Sequence, residues 1–383
     1  MATSLMFLLG FFLLVARAWA GIDRIPTDPN YDYLQVADTN FWELVRTDPY
    51  FHIDAPLLAA VASLFSIDHQ AVAANIVVHL VWSACALAVF MAIRRSTKSP
   101  LVASSTGLVL VLSPWASQSM LGNYGNIRWP ILVAMLIVCS QELLSTSPRR
   151  SVLWASSATA ALTNPLAGIL VIPLFVTWIQ RSQKCFKTAI SVLSAPLLVF
   201  IVNLFLTGGS GHSAKTTWLW SGAGLFWTSG QILPSAVAVS GLFLFLFFKS
   251  KMQEDGTFGA VLLASALALA LASYALGGIA DRYFFGPAAL SGVGILLLLH
   301  SLRSEVTIRR FLFVVVLSIS LIPAAKWFSV FPWLRSGVPW SEQVQLARRE
   351  CEDLRRVSVE LVTSDGITLT NPVPCVVLAS EDR

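Results

Sequence analysis

Long apolar runs separated by short polar turns dominate the chain. Windows at 3–20, 70–93, 101–118, 126–143, 152–163, 166–180, 188–206, 231–248, 258–277, 287–302 and 311–329 carry almost no charge. A helix needs about 20 such residues to cross a bilayer core, so most of these windows predict membrane-spanning helices. The fifth and sixth windows are too short to cross alone. They flank Thr163-Asn164-Pro165, a turn signal inside an apolar stretch, which predicts a re-entrant hairpin or two steep short helices buried among their neighbours. The expected fold class is an all-α polytopic membrane protein with about eleven membrane segments, the hairpin included.

Composition strengthens this reading. The 383 residues are 56% hydrophobic and 12% charged, with a mean hydropathy of +0.70. A soluble domain carries roughly 25% charged residues, so an ordinary soluble fold is excluded. The net charge of +5 is no nucleic-acid signal, because the basic residues sit in short turns. Alternate turns differ sharply in charge. One set holds Arg94, Arg95, Lys98, Arg149, Arg150, Arg181, Lys184, Lys187, Lys249, Lys251, Arg303, Arg309 and Arg310; the other holds Arg24, Arg46, Arg128, Lys215 and Arg282. The richer set is expected in the cytoplasm. The N-terminus then lies inside, while residues 21–69, 119–127, 207–230, 278–286 and the C-terminal tail face outside. The expected location is the cell membrane, crossed many times.

Four regions follow: a first transmembrane helix (1–20), an acidic outer loop (21–69), a multi-helix membrane domain (70–329) and an outer tail (330–383). The first helix has a second reading as a signal peptide, with Leu5 to Val15 as its apolar region and Ala18-Trp19-Ala20 as a cleavage site. No basic residue precedes the apolar run, which favours an uncleaved helix. In the tail, Ser341 to Arg356 reads as a helix, with β-favouring runs around Val357–Val362 and Val373–Leu378. Cys351 and Cys375 lie in this tail, and an oxidising compartment would permit their pairing. Sequence alone does not fix their Cα separation, so the disulfide stays open.

Candidate chemistry concentrates in the acidic loop, which holds Asp23, Asp28, Asp32, Asp38, Glu43, Asp48, Asp54 and Asp68. The plain alternative is a solvated loop. Tyr31 to Arg46 reads as an amphipathic helix with Leu34, Phe41 and Val45 on one face. Asp38 projects from that face, and burial would make it a stronger base. Asp32 and Glu43 point the other way, Asp32 toward solvent or an outer cavity.

Farther along runs Tyr50-Phe51-His52-Ile53-Asp54-Ala55-Pro56-Leu57-Leu58. Here the chain resembles the GT-C-type glycosyltransferases, membrane enzymes that use polyprenyl-phosphate sugars, and among them the protein-mannosyltransferase branch. Members of that branch place an Asp-Glu pair soon after the first span and a Tyr-Phe-x-Asp-x-His-Pro-Pro-Leu-like motif before the next helix. Asp32-Tyr33 stands near the first position, and Tyr50-Phe51 with Asp54-Ala55-Pro56-Leu57 near the second. The departures are a Tyr in the acid pair and an Ala-Pro where the family has His-Pro-Pro. The resemblance is closest over residues 21–60, and the paired short helices and outer tail match the family's layout.

The resemblance implies a lipid-phosphate sugar donor and a glycan, lipid or protein acceptor; no cofactor and no metal are expected, since no His-x-x-x-His or Cys-x-x-Cys spacing occurs. It makes Asp32, Asp38 and Asp54 candidate catalytic acids, one of them removing the proton of an acceptor hydroxyl. Positive charge must then meet the departing phosphate, and Arg128, Lys215 and Arg282 are the outer-facing candidates. Tyr50, His52, Tyr283 and Trp218 are candidate substrate contacts. Each has a plainer reading: Arg128 and Arg282 as interfacial anchors beside Trp129 and Tyr283, Lys215 as part of a flexible glycine-rich loop, and Trp218 in an aromatic belt with Trp115, Trp129, Trp220, Trp333 and Trp340.

The histidines show no metal-ligand spacing. His79, inside the second window, reads as a helix-to-helix hydrogen bond, with an intramembrane functional site as the alternative. Two rival functions stay open: a lipid-linked saccharide transporter, which would place charged sites near the membrane midplane, and a catalytically inactive scaffold of the same fold.

Overall fold

In a computed structural model of the chain, the described residues are 2–24, 53–113, 121, 124–181, 186–207, 232–248, 254–277, 282–302, 337–354, 358–361 and 373–379. The helices are α1 (Ala2–Ala18), α2 (Asp54–Ala62), α3 (Gln70–Thr97), α4 (Pro100–Leu112), α5 (Arg128–Leu144), α6 (Arg150–Thr163), α7 (Val171–Arg181), α8 (Phe186–Thr207), α9 (Ile232–Phe248), α10 (Glu254–Gly277) and α11 (Arg282–Ser301). The tail adds α12 (Trp340–Leu354), a ladder of β1 (Ser358–Val359) and β2 (Val373–Pro374), and α13 (Cys375–Ala379).

Four helical segments among the described residues are long and apolar enough to cross a bilayer: Thr3–Gly21, Ile67–Thr97, Asp255–Ser273 and Phe284–Ser301. Pro100–Leu112, Pro165–Ile179, Thr188–Val199 and Ser235–Leu246 are shorter apolar helices beside them. The chain is thus a multi-pass membrane protein with an all-helical membrane region. Each apolar window from the first to the tenth overlaps a helix, and the eleventh (311–329) lies outside the described residues.

The third window overruns its helix. Predicted to continue to residue 118, α4 ends at Leu112, where Ser113 turns extended (φ −49°, ψ 124°) ahead of Pro114. A residue before proline is driven out of the helical region. That ending strands carbonyls in an apolar setting, where they need partners. Arg17 of α1 supplies them: its Nη1 donates to the Val111 carbonyl, and its Nη2 to that of Ser113 at 3.0 Å. Trp82 of α3 donates from Nε1 to the Leu110 carbonyl at 3.3 Å. Arg17 is wholly buried, and the carbonyls of the α4 end, the negative pole of that helix, help to hold its charge.

The ends of the bundle are fastened differently. At one end, the buried Glu142 of α5 accepts from Arg95 Nη1 at 2.7 Å, from the Arg149 backbone N–H at 2.7 Å and from Arg149 Nη2 at 3.1 Å. The carboxylate in turn holds the Arg149 guanidinium above its ordinary pKa, chiefly through that hydrogen bond. Nearby, Ser96 donates to Asp255 at 2.5 Å, tying α3 to α10. Along the bundle α10 and α11 touch backbone to backbone: a Cβ on Gly259 would lie 2.7 Å from the Gly294 carbonyl oxygen. Only glycine fits there.

The tail docks at the other end. Trp340 is buried and donates from its backbone N–H to the Asp23 carbonyl at 2.8 Å and from Nε1 to the Ile67 carbonyl at 2.6 Å. Ser341 donates to Asp23 Oδ2 at 2.5 Å, and Arg348 pairs with Asp68 at 2.7 Å. A disulfide joins Cys351 to Cys375 across a Cα separation of 5.7 Å. The expected second β run is corrected: strand covers only Val373–Pro374, and residues 375–379 are helical. The bridge sits at that change, where the chain must leave the ladder to follow α12.

Candidate functional site

The site is built where α2, the Tyr124–Asn126 turn and the α6 terminus meet. Asp54 is the first residue of α2 and only 4% exposed. An acidic side chain in a helix's first turn complements the positive end of the helix dipole. Proline at the third helical position suits that start, since its missing N–H would have no partner there. Ile53, which caps the helix, donates its backbone N–H to the Leu162 carbonyl of α6 at 3.0 Å. Asp54 is thereby pinned beside the turn that follows α6.

That turn has its own logic. Asn164 closes α6 by donating its N–H to Ala160 at 2.9 Å, then turns extended (φ −149°, ψ 125°) ahead of Pro165. Its Oδ1 accepts from Leu166 N–H at 2.9 Å, capping the 3-10 helix Pro165–Leu170 that leads into α7. This is the expected pair of short helices around Thr163-Asn164-Pro165.

The opposite wall begins with α2 packing against the 3-10 turn Tyr124–Asn126. One residue further on, Arg128 opens α5 and is 6% exposed. Expected on the outer side of the membrane, its side chain is buried in the bundle between Ile127 and Trp129, both themselves buried. Trp129 also locates the start of α11, for a Cβ on Gly286 would come within 3.4 Å of its ring. The backbone of Arg282 opens that helix, five residues before the expected start at 287. Phe285, one turn along, stacks edge-on with Trp82 at 5.4 Å.

Two helices that each begin with arginine, α5 and α11, thus pack together, and the turn that leads into α5 packs against α2, the element carrying Asp54. Helix N-termini favour anions, and at α5 the buried Arg128 adds positive charge. Among the described residues no group of three or more His, Cys, Asp or Glu side chains is arranged to hold a metal ion.

Asp54, Arg128 and the Arg282 backbone are therefore brought to one region of the bundle. Asp32, Asp38, Tyr50, His52, Lys215 and Trp218 lie outside the described residues, as do the side chains of Arg282 and Tyr283. His79 is a correction: it is wholly buried near Arg17, and neither ring nitrogen makes a hydrogen bond among the described residues. The expected helix-to-helix bond is not formed. Asp23 and Asp68, grouped with the candidate acids of the loop, hold the tail instead. Arg17 was the residue missed. Its signal was an arginine ending an apolar helix, a costly placement that demands partners.

The fold is similar to that of a solved oligosaccharyltransferase. The structure of an oligosaccharyltransferase from Archaeoglobus fulgidus, solved with zinc and sulfate, superposes with a TM-score of 0.51 at 15% sequence identity. The match covers 91% of this chain and 55% of that one, so the chain spans about half the length of the archaeal protein. No protein-family model matches the sequence, and no curated protein does.

Proposed function

We propose that the protein is a membrane glycosyltransferase that moves a sugar from a polyprenyl-phosphate donor to an extracytoplasmic glycan, lipid or protein acceptor. The single observation that carries this reading is the gathering of Asp54 with the arginine-led starts of α5 and α11. The GT-C-type fold supports it. The distribution of charge supports the outward placement: Arg94, Arg95, Lys98, Arg149 and Arg150 crowd the opposite end, as expected of the cytoplasmic side.

In this reading the donor's phosphate rests at the N-termini of α5 and α11 against Arg128 and Arg282, with its lipid chain among the helices. Asp54 takes the proton from the acceptor hydroxyl, whose oxygen attacks the anomeric carbon. The bond from that carbon to the phosphate oxygen breaks, and polyprenyl phosphate leaves with both electrons. The arginines meet the charge that develops on it. Asp32 and Asp38 join Asp54 as acids of the same loop; Lys215, Tyr50, His52, Tyr283 and Trp218 line the substrate path.

The test is transfer by the purified protein in lipid nanodiscs. Polyprenyl-phosphate hexoses and pentoses labelled in the sugar are supplied with extracted host envelope lipids and glycans as acceptors. Transfer by wild type that Asp54→Asn abolishes, with folding retained, is the expected result. Absence of transfer from every donor, or full activity in Asp54→Asn, overturns the proposal.

A further inference from the structure

One end of the bundle gathers more positive charge than its carboxylates match. Arg94, Arg95 and Lys98 stand at the end of α3, and Arg149 and Arg150 at the start of α6. The described carboxylates bonded to this end are Glu142 and Asp255. Glu142 is fully engaged: Oε2 accepts from Arg95 Nη1 at 2.7 Å and Arg149 Nη2 at 3.1 Å, and Oε1 from Arg149 Nε at 3.2 Å. Asp255 accepts from the Ser96 hydroxyl. These bonds draw the α3 end and the α5–α6 turn together. They leave the exposed Arg94, Lys98 and Arg150 without a carboxylate partner among the described residues.

Each of those three bases has an exposed apolar residue three or four positions further into the membrane segments. Met91 precedes Arg94 by three positions in α3, Trp154 follows Arg150 by four in α6, and Leu101 follows Lys98 into α4; all three are exposed. At such spacings in a helix the two side chains share a face. The pairs set charge at the level of lipid headgroups and apolar surface at the level of the chains. A soluble anion would use the charge alone, whereas a phospholipid uses both. Lys98 also holds a φ of 54°, the one positive φ at a non-glycine residue among those described. Glycine takes that conformation at no steric cost, yet the chain places a cation there.

We propose that the α3–α4 turn and the start of α6 form a binding site for an anionic phospholipid. Arg94, Lys98 and Arg150 hold its headgroup phosphate, and its acyl chains run along Met91, Leu101 and Trp154. Arg95 and Arg149, fixed by Glu142, frame the site and add to its field. Asp54 lies by the other end of α6, where Ile53 meets Leu162. The lipid site is therefore separate from the transfer site and independent of the glycosyltransferase reading.

Phosphatidylglycerol is the probe, titrated into the detergent-purified full chain and read by native mass spectrometry. Phosphatidylcholine, which carries the same phosphate without net charge, and soluble glycerol 3-phosphate are the comparisons. The variant Arg94→Gln/Lys98→Gly/Arg150→Gln removes the three charges. It breaks no ion pair among the described residues, and glycine suits the backbone at position 98, so its melting temperature should stay near wild type. Wild type is expected to bind phosphatidylglycerol more tightly than phosphatidylcholine. The triple variant should lose roughly 10- to 100-fold of that affinity, at about fivefold for each charge, and raised salt should narrow the difference. Equal phosphatidylglycerol affinity in wild type and variant overturns the site. So does phosphatidylglycerol binding no tighter than phosphatidylcholine, or displacement of the lipid by an equal concentration of glycerol 3-phosphate, which would mark a site for the headgroup alone. If the triple variant melts well below wild type, the charge-retaining Arg94→Lys/Lys98→Arg/Arg150→Lys protein decides. Phosphatidylglycerol affinity close to wild type is expected of it, and a loss as large as in the triple variant overturns the proposal.

Discussion

Ile53 and Leu162 lie more than a hundred positions apart, yet one backbone hydrogen bond of 3.0 Å joins them. It ties the start of α2, with Asp54 as its first residue, to the last turn of α6. An acidic residue from the first loop is thereby set against the turn between two short membrane helices. The position of Asp54 depends on that turn keeping its shape.

Asp54→Asn preserves size and burial while removing the base. Sugar transfer should fall by about 10²- to 10⁴-fold, the range for losing a general acid–base group. Thermal stability should change little. Initial rates with labelled donor, read beside a melting curve, check both halves.

Arg17→Met keeps the length of an apolar stem and removes the guanidinium. The Val111 and Ser113 carbonyls at the end of α4 then lose their donor, at a cost of about 1–3 kcal/mol for each group left unsatisfied. Arg17→Lys should fall between wild type and Arg17→Met, since an ammonium lacks the forked geometry that reaches both carbonyls. Unfolding in mild detergent by denaturant or heat orders the three proteins, and equal stability would count against the capping role.

Glu142→Gln leaves Arg95 and Arg149 without their shared carboxylate. A stability loss of about 1–3 kcal/mol is expected, the scale of a hydrogen bond to a charged group. Both arginines are partly exposed, so water offsets part of the loss. Raised salt should narrow the gap between variant and wild type, which a melting series in salt measures.

Cys351→Ser opens the link between α12 and α13, which encloses a separation of 24 residues. A bridge of that span contributes about 2–4 kcal/mol. The tail should then be cleaved faster by protease while the membrane helices stay protected. Limited proteolysis under reducing and non-reducing conditions reads this directly, and wild type under reductant should behave like the variant.

Much of the helical layout was legible in the chain because apolar length is a local property. The windows from the first to the tenth fall on helices, and the Thr163-Asn164-Pro165 turn is where the residues place it. Predicted to residue 118, α4 stops at Leu112, because a proline after Ser113 outweighs continued hydrophobicity. Among the described residues His79 draws no partner from a neighbouring helix, an outcome that no flanking sequence decides. Asp23 and Asp68 looked like members of an acidic loop, yet their roles are set by Ser341 and Arg348, which lie near the other end of the chain.

By itself, then, the sequence determined that this protein lives in a bilayer, where its turns fall and which stretch carries candidate acids. Those facts follow from solvation and from residue types a few positions apart. Tertiary structure alone decided that the α2 start, the α6 turn and the arginine-led ends of α5 and α11 share one region. It also decided that Arg17 caps α4. Such pairings depend on how buried backbone groups find partners across distant helices, and in an apolar interior that requirement is met by packing, which no local pattern encodes.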